Sequence, residues 1–360
     1  MNDYPSNVKE KLNFIISDMA NHHWLFANRP GHDFMRQNHG KLFFYDTMRL
    51  IIGMGKGNTN DEIMDYFDLD PDRIPSQSAF NQRRSQISLS AFEYLFSEFS
   101  SAFPATTNTF KDHCILACDG CHVVYTTNSE IIEDFNKPHL IDYKGYNHMH
   151  LNGFVDVISK AFIDVVIQPG QKPDERQALH IMLDHFQPDE PSKYIITADR
   201  GYESYDLLFH CELKHLSYVF RVKAPSSPKS ILSYYKNELP DEQDEFDVTI
   251  KRFLTDKKTN IMRSQSDVYR YMNPSKNIPH FQQLLNHKHL YFMQFRVIKM
   301  KVAEDSYELP MKQYRKTKRR NVVSLTNINM KSIFIRGRSS ENRIIKLIAK
   351  YIHAVKSEFR

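Results

Sequence analysis

The spacing of apolar residues along the chain changes near residue 110. Before that point, segments such as DTMRLIIGMGKG and NDEIMDYFDL repeat apolar residues every three or four positions, which predicts amphipathic helices. Pro75 and Ser76 supply a start signal for a further helix, and SAFEYLFSEFS predicts another. Residues 1–108 are therefore predicted to form a helical domain.

After residue 110, strand patterns alternate with helix patterns. The runs HCILACDGCHVVYTTN, GFVDVIS, AFIDVVIQ, YIITADRG and LSYVFRVKA are short, apolar and rich in β-branched residues, as strands are. DERQALHIMLDHF and YESYDLLFHCELKH have the period of helices. We expect GFVDVIS and AFIDVVIQ to pair through a tight turn near residues 159–160. The order of elements predicts an α/β fold with a mixed sheet flanked by helices.

The length of the chain predicts more than one domain, because 360 residues exceed what a single hydrophobic core usually organises. Residues 109–223 are predicted to form the first part of the α/β core. The polar residues 224–320, with few strand patterns, are predicted to be a β-rich insertion. Residues 321–360 would add the last core strand, NVVSLTNI, and a terminal helix.

Two of the predicted strands end on an aspartate. IITADRG stops at Asp199, and ILACDG stops at Asp119 with Gly120 directly behind it. A carboxylate at the end of a buried strand is costly unless it has a partner, and two carboxylates brought together repel each other. Mg²⁺ removes that repulsion and prefers oxygen ligands. On spacing alone, a metal site and two aspartates that merely cap the next element both stay open.

Histidines alternate with other residues in NHMHLN, on a predicted strand near Asp119. His148 and His150 could help to position a hydroxyl or a phosphate, or they could be ordinary hydrogen-bonded strand residues.

The net charge of +5 and the pI of about 8.8 are only mildly basic, but the charge is unevenly distributed. KQYRKTKRR, residues 312–320, is mostly basic and has no acid. Such a run can bind a phosphate backbone or form a solvated loop. The candidate phosphate contacts from these patterns are Arg83, Arg84, Lys312, Arg315, Lys316, Lys318, Arg319 and Arg320.

Several classes of protein do not fit the sequence. It has neither GxGxxG nor GxxxxGK[ST], so no nucleotide cofactor is predicted. No apolar run reaches 18 residues and the N-terminus MNDYPSNVKEKLNF lacks the apolar region of a signal peptide. We therefore expect a cytoplasmic protein without a membrane partner.

Long motifs in a fixed order resemble the DDE transposases of bacterial insertion sequences, specifically the insertion-sequence-four family. They are ILACDGCHV, then GYNHMHLNGFVDVISKAFIDVVIQPG, then IITADRGYESYDLLFHCE and YVFRVKA, with further similarity in SQSAFNQRRSQISLSAFEYLF and FRVIKMKV. The resemblance covers roughly residues 20–330. It implies an RNase H-like catalytic core, a helical DNA-binding region before it, and a β-rich insertion between the second and third acids.

The resemblance also implies the site. Asp119 matches the first acid and Asp199 the second, and Arg200, Gly201 and Tyr202 complete the signature around the second, with Arg200 and Tyr202 as DNA contacts. Two Mg²⁺ ions, for which Mn²⁺ could substitute, would bind the acids. The implied reaction is hydrolysis at the transposon ends, followed by transfer of the freed 3′-hydroxyl to target DNA.

The third acid departs from the family pattern, which is Tyr-x2-Arg-x3-Glu-x6-Lys after the LTN strand. Glu341 is the glutamate available there, as metal ligand and catalytic residue, but Gly337 stands where arginine is expected and Ile348 where lysine is expected. Arg338 and Lys346 lie next to or near those positions and are taken as DNA contacts. The alternative is a solvent-facing glutamate on a terminal helix.

The predicted function is therefore a transposase, working as a homodimer on double-stranded DNA, that binds terminal inverted repeats and catalyses Mg²⁺-dependent cleavage and strand transfer. Because the third-acid motif is altered, one alternative is a catalytically dead, truncated remnant that only binds DNA. Another is a general RNase H-like nuclease.

Overall fold

The computed structural model describes residues 4–35, 41–55, 57–102, 109–137, 145–301 and 321–326. The chain divides into two compact units, residues 1–104 and 105–360.

The first unit is helical, as predicted. Its helices are α1 (Tyr4–Asn21), α2 (Phe44–Gly53), α3 (Thr59–Tyr66), α4 (Gln77–Arg84) and α5 (Leu89–Ala102). Ser76 caps α4, because its hydroxyl accepts a hydrogen bond from the Ala79 amide at 3.2 Å. Helices α1, α2 and α5 bury one apolar cluster, and a second cluster lies around Phe67 and Phe80. None of the described helices is long and apolar enough to cross a membrane.

The second unit is built from strands and helices. Its strands are β1 (Cys114–Tyr125), β2 (Phe135–Asn136), β3 (Tyr146–Asp156), β4 (Phe162–Pro169), β5 (Tyr194–Ala198), β6 (Ser217–Val222), β7 (Phe246–Thr255), β8 (Tyr269–Tyr271), β9 (Leu290–Lys301) and β10 (Asn321–Thr326). Its helices are α6 (Glu175–His185), α7 (Tyr205–Leu213), α8 (Asn260–Ser264) and α9 (Pro279–Leu285).

These strands form one mixed sheet in the order β2-β3-β1-β5-β6-β10-β9-β7-β8, with β4 paired to β3. Strands β1, β5 and β6 are parallel neighbours, whereas β3 and β4 run antiparallel as a hairpin that turns at residues 157–161. Helices α6, α7 and α9 contribute apolar side chains to a core with the central strands. The predicted mixed α/β sheet flanked by helices is confirmed.

Residues 224–320 contribute strands to this same sheet. β9 pairs with β10, and β7 pairs with β9, so the described part of this region extends the core sheet. The domain boundaries drawn from the sequence stay predictions.

Candidate active site

Asp119 on β1 and Asp199, the residue directly after β5, lie at the same level of the sheet. β1 and β5 are parallel, and Cys118 is paired with Ala198, so each aspartate directly follows a member of that pair. Asp119 Oδ1 accepts a hydrogen bond from the Gly120 amide at 3.0 Å, and Asp199 Oδ1 accepts one from the Gly201 amide at 2.7 Å. Both side chains are half-buried. The backbone therefore orients one oxygen of each carboxylate.

A third carboxylate, that of Glu175 at the start of α6, reaches the same place. Its Oε1 lies 3.0 Å from the point that a Cβ on Gly120 would occupy. Its Oε2 lies 3.3 Å from the point that a Cβ on Gly201 would occupy. The same point lies 3.0 Å from Asp199 Oδ1. The carboxylate thus spans the space between the two glycines that follow the aspartates.

The charges of these carboxylates converge on Cys118, which is buried beside them. Burial raises the pKa of the Cys118 thiol, Tyr202 opposes this, and Asp119, Glu175 and Asp199 raise the pKa further. All three carboxylates are therefore near this thiol.

Sequence reasoning missed Glu175. An acid beside a helix start is common, because Asp174 caps α6 through the Gln177 amide at 3.0 Å and acids are favourable in the first turn. Nothing in the local pattern distinguishes a capping acid from one that faces an active site.

Hydrogen bonds hold the first turn of α6 in place. Gln168 on β4 accepts from the Asp174 amide and donates to the Asp174 carbonyl, each at 3.0 Å. Arg176 Nε donates to the Gly201 carbonyl at 3.1 Å. Glu175 is therefore fixed relative to both β4 and the loop after Asp199.

His150 and Asn152 on β3 line the other side of this space. Asn152 is the register partner of Gly120, and its Nδ2 donates to Val166 O at 3.2 Å and to Gln168 Oε1 at 3.3 Å. The Asn152 Oδ1 and the His150 Nε2 lie 3.0 Å and 2.4 Å from the point that a Cβ on Gly120 would take. His150 Nε2 is also 3.4 Å from Glu175 Oε1.

Polar atoms of both residues are buried without a well-formed hydrogen bond. His150 is 3 % exposed and Asn152 is fully buried. Among the described residues, neither ring nitrogen of His150 nor the Oδ1 of Asn152 has such a bond. Burial lowers the pKa of His150, an interaction with Asn152 opposes this, and the nearby His148 lowers the pKa further. His148 differs, because its Nδ1 is hydrogen-bonded to Asn136.

The donor set suits a hard cation. Carboxylate and amide oxygens are the ligands that Mg²⁺ prefers, and Asn152 Oδ1 is a buried acceptor awaiting a donor. Within the part of the chain that the structure describes, no group of three or more His, Cys, Asp or Glu side chains could hold a metal ion as the side chains stand. Glu341 lies outside the described residues, so its assignment as the third acid stays a prediction.

The loop after Asp199 is anchored by an ion pair between the half-buried Lys223 and the buried Glu203. Lys223 Nζ donates to Glu203 Oε1 at 2.6 Å and to the Arg200 carbonyl at 3.2 Å, and Glu203 is buried. Arg200 itself is exposed.

The burial of Tyr202 contradicts its prediction as a DNA contact. Its side chain is fully buried in the apolar core of the second unit, because the chain turns inward after Gly201. The ring therefore offers no surface to DNA, and its role is packing.

The two arginines of the first unit lie in the last turn of α4. Arg83 is half-buried, with its guanidinium 5.2 Å from the centre of the Phe34 ring and a 3.1 Å hydrogen bond to Gln86. Arg84 is exposed. The helix dipole favours cations at this end, which is an alternative to a DNA role. The remaining predicted contacts, residues 312–320, Arg338 and Lys346, lie outside the described residues.

Comparison with known protein families places the chain in a class. The family model of the transposase DDE domain matches residues 111–329, which is more than half of the 360 residues. The chain therefore belongs to the DDE transposases, and this resemblance is confirmed. Membership of the insertion-sequence-four family stays a prediction. The comparison with curated proteins finds no match.

Proposed function

We propose that this DDE transposase binds the terminal inverted repeats of an insertion sequence, cleaves the DNA at their ends and joins the freed ends to target DNA. The observation that supports this is the pairing of Cys118 with Ala198, which brings Asp119 and Asp199 to one level of adjacent parallel strands.

The chain's own residues would bind and orient the reacting groups. Asp119 and Asp199 would hold Mg²⁺ through the carboxylate oxygens that the Gly120 and Gly201 amides orient. Bound divalent ions supply Lewis-acid stabilisation of the phosphodiester and lower the pKa of a coordinated water. Arg200, exposed directly beside Asp199, is placed to neutralise a phosphate of the DNA.

The partners follow from this reaction. The substrate would be double-stranded DNA, both as transposon end and as target, and two protomers would act together because two ends must be joined. Two divalent ions and a cytoplasmic location remain part of the proposal.

Strand cleavage and strand transfer on DNA carrying the repeats that flank its gene test the proposal. We expect Asp119→Asn and Asp199→Asn each to lower the cleavage rate at least about 100-fold, because each removes a charge needed to hold the metal. Asp244→Asn, in an exposed turn before β7, is the matched control and should cleave like wild type. EDTA should abolish cleavage.

Two outcomes would overturn the proposal. Cleavage that is unaffected by both substitutions would exclude this pair of aspartates from catalysis. Salt-sensitive binding of the repeats without any cleavage by wild type would instead favour the DNA-binding remnant.

A further inference from the structure

We propose that Glu175 is a further carboxylate of the metal site, holding the divalent cation together with Asp119 and Asp199, and that His150 is the residue that positions it. This inference rests on the proposed function, because it concerns the same site.

The first argument is that two glycines make room for the Glu175 carboxylate. A Cβ on Gly120 would lie 3.0 Å from Glu175 Oε1, and one on Gly201 would lie 3.3 Å from Oε2. Neither glycine adopts the left-handed backbone conformation that would by itself require glycine. Their small size therefore serves the close approach of this side chain to the segments that carry both aspartates.

The second argument is the way α6 is fastened. Gln168 binds the backbone of Asp174 on one side of Glu175, and Arg176 binds the Gly201 carbonyl on the other. These bonds place the Glu175 backbone between β4 and the loop that follows Asp199. They fix the backbone from which the Glu175 side chain, 37 % exposed, extends, so only side-chain rotations remain to be ordered when a metal binds.

The third argument is the pair of buried groups that face Glu175. Asn152 Oδ1 is an acceptor without a well-formed hydrogen bond in the described structure, and Mg²⁺ keeps several of its waters, which are donors. His150 Nε2 faces Glu175 Oε1 at 3.4 Å, and the Nε2–H tautomer would donate to that oxygen. Buried polar groups are rarely left without partners, so these two fit a hydrated cation and the carboxylate that holds it.

The assignment does not depend on Glu341. Glu175 comes from a helix between the segments of the first and second aspartates, whereas Glu341 comes from the C-terminal part of the chain. Both could bind metal in the same centre, and each can be tested separately.

Mn²⁺ titration of the full-length protein on repeat-bearing DNA, followed by electron paramagnetic resonance, tests the inference without relying on activity. We expect Glu175→Gln to weaken Mn²⁺ binding about 10- to 100-fold, without lowering the unfolding temperature in EDTA. Glu190→Gln is the matched control, because Glu190 is exposed and pairs with Lys193 before β5. It should bind Mn²⁺ like wild type.

Variants of His150 separate positioning from packing. His150→Ala should weaken Mn²⁺ binding about tenfold, and His150→Gln, which restores a donor of similar reach, should recover most of the affinity. If both variants bind Mn²⁺ like wild type, His150 does not position the ligand.

Asp119→Asn distinguishes failure of this inference from failure of the proposed function. If Asp119→Asn loses Mn²⁺ binding and Glu175→Gln does not, the metal site stands and Glu175 is not part of it. If neither substitution changes Mn²⁺ binding, the proposed metal site is wrong as well. A Glu175→Gln variant with lower unfolding temperature but unchanged Mn²⁺ affinity would show a structural role and also overturn the inference.

Discussion

The N-terminal end and the middle of helix α6 carry polar clusters of different character. At its N-terminal end, Glu175 faces His150 and Asn152, whose buried polar atoms include three without well-formed hydrogen bonds in the described structure. In its middle, His180 uses both ring nitrogens: Nδ1 is 3.0 Å from His210 Nδ1, and Nε2 is 3.0 Å from Asp206 Oδ2.

This difference in hydrogen bonding distinguishes side chains that stabilise the fold from side chains that are available to bind a ligand. His180 is buried, stacks on His210 and contacts Phe281, so its interactions join α6 to α7 and α9. Most of this buried network is hydrogen-bonded, which stabilises one packing arrangement, although the His210 Nε2 has no hydrogen bond in the described structure. The buried polar atoms of His150 and Asn152 near Glu175 are incompletely hydrogen-bonded. This is expected where a cation and its waters bind.

The largest effect on metal binding among the variants of this comparison should come from filling the space beside Glu175. Gly120→Ala would place a methyl group 2.4 Å from His150 Nε2 and 3.0 Å from both Glu175 Oε1 and Asn152 Oδ1. We expect Mn²⁺ affinity to fall at least about tenfold and the free energy of unfolding to fall by about 1–3 kcal/mol. Mn²⁺ titration and chemical denaturation measure the two effects.

Gly53→Ala is the control for that substitution, because no atom lies within 4 Å of its Cβ position. It should leave the Mn²⁺ affinity unchanged and should raise the free energy of unfolding by at most about 1 kcal/mol. Wild-type Mn²⁺ affinity in Gly120→Ala would contradict the view that this space serves the metal site.

Disrupting the cluster of His180, His210 and Asp206 in the middle of α6, called the middle cluster below, should lower stability and leave metal binding intact. His180→Ala removes a buried ring together with both of its hydrogen bonds, so we expect the free energy of unfolding to fall by about 2–4 kcal/mol. Chemical denaturation measures this loss, and Mn²⁺ titration at low denaturant should match wild type.

His185→Ala on the same helix is the matched control. His185 is exposed and pairs with Asp164 at 2.9 Å, and such surface pairs contribute about 0–1 kcal/mol. If His180→Ala and His185→Ala lowered the free energy of unfolding equally, the buried middle cluster would contribute no more to stability than a surface ion pair.

The smallest effect is a pH dependence of stability that arises from the middle cluster. Burial lowers the pKa of His210 to about 2, and His180, Lys214 and His280 act in the same direction. Asp184, 3.8 Å from His210 Nε2, is the acid that faces it. An unfolded histidine titrates near 6.5, so below that pH the unfolded state binds more protons than the folded state.

The stabilisation that comes from burying His210 in its neutral form is fully present above about pH 6.5. It is lost as the pH falls below that value, by about 1 kcal/mol per pH unit. Denaturation of wild type and His210→Gln between pH 7 and pH 5 isolates it, because other titrating groups are common to both. We expect the stability of wild type to fall more steeply. Parallel curves would show that His210 does not titrate differently on unfolding.

Much of the fold could be predicted from local pattern. The change from a helical period to alternation near residue 110 agrees with the boundary between α5 and β1, and the hairpin of β3 and β4 was predicted from two Val- and Ile-rich runs. Ser76 was recognised as the start of α4 from its residue type. These features depend on neighbouring residues, so the sequence carries them directly.

Other features required the assembled sheet. Tyr202 lies in a signature beside Asp199, yet it is fully buried, because the direction of the turn after Gly201 decides which side chains face inward. Likewise, β7 and β9 have the patterns of ordinary strands, and their place beside β10 depends on pairing between distant segments.

For the proposed site, the sequence by itself pointed to Asp119 and Asp199, because each stops an apolar run and stands in a motif that resembles the DDE transposases. Only the tertiary structure places the Glu175 carboxylate near the segments that carry them. An acid at a helix start has the same local pattern whether it caps the helix or faces a site. What distinguishes the two cases is the packing of α6 over Gly120 and Gly201, which brings together residues from three separate segments of the chain.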